Sequence, residues 1–365
     1  MSSPRSLAPR RLLALALAVP VLLAPVAPAF AAADRPPSVQ DRLDALTTAP
    51  EIPGALAYIR HPGGRTVTIV SGTAERGAER RMPGASGRLR IASVSKSVIA
   101  ATVLELADQG KVDLSKPVET YLPGVIRGKG MHGKDITVRM LLRQTSGLPD
   151  FTPVADWSKI GRQDLLKLAL TLAPTPRGEF AYSNTNYLVL GKVIRAVTGR
   201  DFRVVSRDLV FKPLGMRDTY WPAKGETGIR GPHARTYGVH PLKPKDGVVD
   251  VTRLPGYEFD ASGGLISTPR DLDRFWRARK PAGTEFVKIG EQGWPKGARY
   301  GYGVMSIPLS CGGDLLGHGG DLPGVSVFSG RDRAGRTATV YVTGSAEGES
   351  RQRLIAAFDT ALCSR

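Results

Sequence analysis

Cysteine is nearly absent from this chain. Cys311 and Cys363 are the only two in 365 residues, and both stand near the end. No Cys/His spacing of the zinc type accompanies them, which argues against a structural metal. Long apolar runs are also missing once the first few dozen residues are passed, so no later segment is expected to cross a bilayer. Lysine and arginine outnumber the acids by 51 to 33, for a net charge of +18, yet no run of five or more basic residues occurs. That scatter describes a solvated basic surface and excludes a nucleic-acid partner. No glycine-rich phosphate loop, internal repeat or low-complexity tail is present, and nothing calls for a metal or an organic cofactor.

The first residues do carry an apolar run. Arg5, Arg10 and Arg11 precede Leu12 to Val26, and small residues around Ala31 and Ala33 follow. A basic segment, an apolar stretch interrupted by prolines and an A-x-A end predict a signal peptide over 1–33 and a secreted protein. No cysteine stands near the cleavage point, so neither a lipid anchor nor a stable membrane anchor is expected after cleavage. In an exported chain the pair Cys311 and Cys363 is expected to form one disulfide. Net positive charge in that setting makes anionic cell-wall material such as peptidoglycan a candidate surrounding.

Strand-like runs occupy both ends of the remaining chain. "GALAYIR" and "RTVTIVSG" are joined by "HPGG", which is hairpin chemistry. "YGYGVMSIP", "GVSVFSG" and "RTATVYVTG" come late and precede a final helical run, "ESRQRLIAAFDTALC". The middle has helical spacing with glycine and proline stops, for example "VSKSVIAATVLELADQG" and "NYLVLGKVIRAVTG". Residues 221–254, rich in glycine, proline and lysine, read as an irregular loop. The expected fold class is α/β (α+β): an antiparallel sheet built from 34–92 and 285–365, flanked by helices, with a mainly helical region, 93–284, inserted between them. A site is expected at the junction.

Ser93 opens the helical run "SVSKSVIAATVLELADQG" and Lys96 follows at i+3, on the same face. A charged lysine in so apolar a helix is costly unless it is paired or neutral. Ser-x-x-Lys alone is a pattern that chance supplies, and its plain reading is a cap followed by a surface lysine. Two further elements raise its weight: Tyr182-Ser183-Asn184 before a helix, and His318-Gly319-Gly320 on a late strand.

In this combination the chain resembles the secreted D-Ala-D-Ala carboxypeptidases, class C β-lactamases and related esterases. The stretches "IASVSKS", "LLRQTSGLPDF", "FAYSNTNYLVLG", "SGGLISTPRDLDRF", "YGYGV" and "GHGG" carry the likeness over nearly all of the mature chain. No Gly-x-Ser-x-Gly, Lys-Thr-Gly or Ser-Asp-Asn occurs, which sets aside the α/β-hydrolase and class A β-lactamase patterns. The resemblance implies a serine hydrolase of the penicillin-recognising type that forms an acyl-enzyme. Ser93 would be the nucleophile, Lys96 or Tyr182 its base, and His318 a source of polarity or charge and a proton relay. Asn184 would hold the substrate's acyl-side amide. Gly319 and Gly320 would leave room for substrate along the strand, and the backbone N–H groups of Ser93 and Asp321 would bind the oxyanion. The implied substrates are D-amino-acid peptides above all, with esters and β-lactams as alternatives; an inactive cell-wall-binding relative is the reading from another class. The protein is expected to be a monomer. Carboxypeptidases of this type usually hold the substrate's free carboxylate with an arginine near the position of Met305. Methionine and an aspartate, Asp321, therefore question that specificity.

Overall fold

The computed structural model describes Met1 and residues 36–159, 161, 163–255, 259–279, 285–290 and 294–364. Apart from Met1, the expected signal peptide lies outside the described residues. Strands β1 (Gly54–Arg60) and β2 (Thr66–Gly72) form the expected hairpin, closed by a bond from the Gly64 N–H to the His61 carbonyl, with Gly64 at φ 90°. The other strands come from the end of the chain: β3 (Val287–Lys288), β4 (Arg299–Tyr300), β5 (Met305–Pro308), β6 (Asp314–Leu322), β7 (Val325–Arg331) and β8 (Thr337–Val342). They form one eight-stranded sheet in the order β2-β1-β8-β7-β6-β5-β4-β3, with every neighbouring pair antiparallel. The sheet thus joins both ends of the described chain, as the strand-like runs suggested.

Alternation along β1 shows why the sheet is covered on both sides. Ala55, Ala57 and Ile59 face helices α1 (Val39–Thr47) and α5 (Gly348–Cys363), meeting Leu43, Leu46, Leu354 and Phe358. Leu56 and Tyr58 point the opposite way, toward Phe275 and Trp276 of α4 (Pro269–Ala278). Successive side chains of a strand point to opposite faces, so a strand buried on both reads as continuously apolar. A separate apolar cluster fills the inserted region, where α2 (Ser95–Asp108) and α3 (Asn184–Thr198) pack Ile99 and Val103 against Tyr187 and Val193. From Pro37 onward, sheet and helical region belong to one compact unit.

The reading of 221–254 as irregular is corrected in part. Tyr237–His240 and Lys243–Asp250 pair as an antiparallel hairpin. Lys243–Asp250 is exposed along nearly its whole length, so it carries no apolar alternation to reveal it. Tertiary contacts pin the hairpin at its root: the Tyr237 N–H bonds the Thr343 carbonyl, and its hydroxyl accepts from the Arg76 N–H.

Cys311 and Cys363 form the expected disulfide, with a Cα–Cα distance of 5.7 Å across 52 positions. It ties the β5–β6 connection to the end of α5 and closes a loop worth about 4 kcal/mol in the chain-entropy picture. A disulfide accords with an oxidising compartment. Among the described residues, no helix is long and apolar enough to cross a membrane and no acidic, His or Cys cluster could hold a metal.

Candidate active site

The chain enters the site from a two-residue strand, Leu89–Arg90, paired with Ile266–Ser267. It then turns sharply. Ala92 sits at φ 47°, a left-handed conformation that costs a side-chain-bearing residue about 1–3 kcal/mol. Ser93 rides in the tight turn Ala92–Val94, and α2 begins only at Ser95, so Ser93 precedes the helix instead of opening it. Gln144 (φ 60°) and Asp260 (φ 50°) are also left-handed. Asp260 opens the turn Asp260–Gly263 that carries the Ser262 carbonyl.

Lys96 stands on the first turn of α2 with no exposed surface. Its Nζ lies 2.9 Å from Ser93 Oγ, 2.7 Å from Asn184 Oδ1 and 2.6 Å from the Ser262 carbonyl oxygen. Burial lowers its pKa from 10.5 to about 7, against an opposing pull from Asp150. A neutral amine has two N–H bonds and one lone pair. The Ser262 carbonyl and Asn184 Oδ1 can only accept, so they take the two protons, and the lone pair is left for Ser93, which can donate.

Tyr182 comes from the loop before α3, and its ring lies against the Lys96 amine, 5.1 Å from Nζ to the ring centroid. Gln144 shapes this loop: its Oε1 accepts from the Ser183 N–H at 3.0 Å, and its own carbonyl accepts from the Ala181 N–H at 2.9 Å. The Tyr182 residue keeps some surface exposure and packs on Trp294 and Tyr300. Desolvation first, then Tyr300, push its phenol well above the usual value, while the contact with Ser93 acts the other way. A phenolate is thus disfavoured where a neutral amine is favoured.

His318 reaches the same site from β6. It is 2% exposed, and burial followed by Lys96 lowers its pKa to about 3. Nδ1 faces the Gly319 carbonyl, which can only accept, so that nitrogen bears the proton. Nε2 then accepts from the Tyr300 hydroxyl at 3.1 Å. With both ring nitrogens engaged, the ring lends the site polarity, one of the roles expected of His318. Tyr300, seen only as part of "YGYGV", was missed as a member of the site.

The two glycines face opposite ways. A Cβ on Gly319 would lie 2.8 Å from the Phe328 ring, on the far face of the sheet. A Cβ on Gly320 would meet the Ile91 carbonyl oxygen at 2.5 Å and the Ser93 nitrogen at 2.9 Å. Their lack of side chains serves packing against the protein itself. Gly320 lets β6 approach the Ser93 turn, which puts the strand carrying the Asp321 N–H against the turn carrying the Ser93 N–H. The Asp321 carboxylate turns to Arg351 of α5, 2.6 Å away. Met305 is buried in the apolar layer between sheet and helices and offers nothing to a carboxylate.

Asp150 is the other residue that the sequence reading left without a role. It accepts from Asn184 through both the backbone N–H (3.1 Å) and Nδ2 (3.2 Å to each carboxylate oxygen). A cavity of about 180 Å³ opens beside Ser93 and Asn184, walled by Phe151, Trp157 and Phe259, and Asp321 is its one charged side chain among the described lining residues.

The family model described as Beta-lactamase matches residues 39–362. Among curated proteins, the chain is 30% identical over 188 residues to penicillin-binding protein 4 of Amycolatopsis lactamdurans, covering 49% of this chain and 48% of that protein. It is 27% identical over 195 residues to the D-alanyl-D-alanine-carboxypeptidase/endopeptidase AmpH of Escherichia coli K12, covering 51% and 47%. The chain therefore spans about half the length of these curated relatives. Solved structures match more completely. A D-stereospecific amidohydrolase from a Streptomyces species superposes with a TM-score of 0.76 at 31% identity, covering 88% of this chain and 97% of that one. A D-amino acid amidase from Ochrobactrum anthropi SV3 gives 0.74 at 27% identity, covering 89% and 96%. A penicillin-binding protein homologue from Pyrococcus abyssi, described as octameric, shares the fold at a TM-score of 0.69 and 22% identity, over 87% of this chain and 75% of that one. The expected monomer gains no support from that likeness.

Proposed function

The chain belongs to the beta-lactamase family, and from that premise we propose that it is a serine acyl-transfer hydrolase acting on amides and peptides of D-amino acids. One observation carries the reading. The Ser93 hydroxyl stands 2.9 Å from a buried Lys96 amine whose other two contacts can only accept hydrogen bonds. Ser93 Oγ attacks the substrate carbonyl carbon while its proton passes to Lys96 Nζ. The carbonyl oxygen becomes an oxyanion held by the Ser93 and Asp321 N–H groups. As the C–N bond breaks, the leaving nitrogen takes a proton from Lys96 or through the Tyr182 hydroxyl, and an acyl-enzyme remains on Ser93. Water, activated by the same amine, releases the acid. Lys96 is the base because its neutral form is populated near pH 7, whereas Tyr182 holds its proton far above that.

The surroundings bear on substrate choice. Phe151, Trp157 and Phe259 offer an apolar pocket, and none of its described lining residues is basic. Arg351 is already paired with Asp321 and Met305 is buried, so neither supplies a free cation for a terminal carboxylate. This favours a neutral leaving side, as in a D-amino acid amide or the interior bond of a peptide, over the free terminus of D-Ala-D-Ala. The neighbours described as a D-stereospecific amidohydrolase and a D-amino acid amidase support the same class. The disulfide supports an exported location.

The test compares D-phenylalanine amide with an N-acylated D-Ala-D-Ala peptide. The amide is expected to have a kcat/KM at least about tenfold higher, equivalent to roughly 1.4 kcal/mol of transition-state preference. A preference of that size for the free-acid peptide would restore the carboxypeptidase reading, and rapid turnover of penicillin with neither would restore the β-lactamase.

A further inference from the structure

We infer that Asp150 is a positioning residue of the reaction: it fixes the amide orientation of Asn184 and thereby aims the Lys96 lone pair at Ser93. The inference rests on the proposed acylation of Ser93.

An asparagine amide offers an oxygen that accepts and a nitrogen that donates, and either end fits the same space. What lies behind Asn184 decides between them. Asp150 presents a carboxylate, which only accepts. Asn184 Nδ2 lies 3.2 Å from each of its oxygens and 2.9 Å from Thr152 Oγ1. Thr152 Oγ1 in turn donates to Asp150 Oδ1 at 3.1 Å, so its remaining capacity toward Asn184 is as an acceptor. Asp150 Oδ1 also accepts from the Asn184 backbone N–H at 3.1 Å, which anchors the first residue of α3 as well as its side chain. With Nδ2 committed to this pair, Oδ1 must face Lys96, where it accepts at 2.7 Å.

If Asn184 turned over, Nδ2 would point at Lys96. The neutral amine would then accept from Asn184, and its lone pair would be diverted from Ser93. Asp150 thus governs, through an amide, the direction of a lone pair that it does not touch. It is also the carboxylate whose charge favours the protonated form of Lys96. The other groups facing that amine are Ser93 Oγ, the Ser262 carbonyl, and the rings of Tyr182 and Tyr187 with centroids 5.1 and 5.6 Å away. The His318 ring on β6 lies near enough to the amine for Lys96 to lower its pKa, and is a further titratable group there. None of these is an anion near neutral pH, so removing the charge of Asp150 is not compensated from another side of the site.

The test uses the full chain and a fluorophosphonate probe, which has no titrating group of its own. Ser93 Oγ bonds to phosphorus, the P–F bond breaks, fluoride leaves, and the hydroxyl proton passes to Lys96. The rate of labelling is followed against pH. In the wild type it should rise through a midpoint near the Lys96 pKa to a plateau. In Asp150→Asn, which keeps the shape and loses the charge, the plateau is expected to fall at least about tenfold and the midpoint to move down by about one unit. In Thr152→Val, which keeps the charge but loses one acceptor for Nδ2, the plateau should fall several-fold and the midpoint should stay. An Asp150→Asn protein with an unchanged plateau or an unchanged midpoint overturns the inference. If that variant does not fold, the same decision falls to Thr152→Val, where an unchanged plateau overturns it. Wild-type protein that is never labelled would overturn the acylation reading instead, so the two failures are distinct.

Discussion

Replacing Lys96 with methionine is expected to slow acylation of Ser93 by about 10²–10⁴-fold, the range that a positioned general base supplies, while making the protein more stable. The two effects have one cause. Lys96 is fully buried, and burial is what brings its pKa down from 10.5 to about 7. Methionine has similar length, no charge and no donor, so it fits the apolar start of α2 without the desolvation cost. Replacing buried ionised groups together by apolar ones of like volume often stabilises by about 1–4 kcal/mol; here the gain is smaller, because the Ser262 carbonyl and Asn184 Oδ1 lose their donor.

The sign of the pH dependence follows from the same shift. The unfolded chain holds the Lys96 proton up to about its ordinary value of 10.5, and the folded chain releases it near 7. Between those values the unfolded state binds more protons, so the wild type gains stability from this group as pH rises. Below pH 7 both states are protonated and the full cost of the buried ammonium is present. The melting-temperature gap between Lys96→Met and wild type should thus be widest at or below pH 7 and shrink as pH approaches 10. A variant less stable than wild type at pH 6 would mean that the lysine is stabilising as an ammonium, and the proposed base would be lost.

A single methyl group on β6 is expected to have the second largest effect. Gly320→Ala places a Cβ 2.5 Å from the Ile91 carbonyl oxygen and 2.9 Å from the Ser93 nitrogen, both backbone atoms that cannot swing aside. The strand must retreat from the Ser93 turn, separating the two N–H groups assigned to the oxyanion. A displacement of about 1 Å at reacting groups can cost about 100-fold in rate, and overpacking of this kind costs about 1–3 kcal/mol in stability. Gly319→Ala is the control. Its Cβ meets the Phe328 ring on the other face, so it should lower the melting temperature yet leave the acylation rate within about threefold. Steady-state rates and thermal melts of the two variants check this; equal loss of activity in both would mean that the strand, and not the approach to Ser93, is what matters.

The contrast between these glycines also marks where sequence reasoning stops. Ser93, Lys96, Tyr182, Asn184 and His318 stand close together, from elements far apart in the chain. The sheet built from both ends was legible: apolar runs such as "GALAYIR" declare a strand covered on both faces. Direction was not legible. "HGGD" gives no sign that Gly319 and Gly320 face opposite ways, that His318 is buried against Tyr300, or that Asp321 turns to an arginine 30 positions later. Asp150 and Tyr300 act through a second residue, and nothing in their own spacing points to a partner. The hairpin at 237–250 hid because its outer strand is solvated and held only at its root.

The central claim is that an acyl group is transferred to Ser93 with Lys96 as base. Intact-mass measurement after incubation with a fluorophosphonate, followed by mapping of the labelled peptide, tests it most directly. A single adduct on the peptide containing Ser93, absent from Ser93→Ala and strongly slowed in Lys96→Met, is the predicted result. An adduct on another residue, or a Ser93→Ala protein that still hydrolyses D-amino acid amides at the wild-type rate, would contradict it.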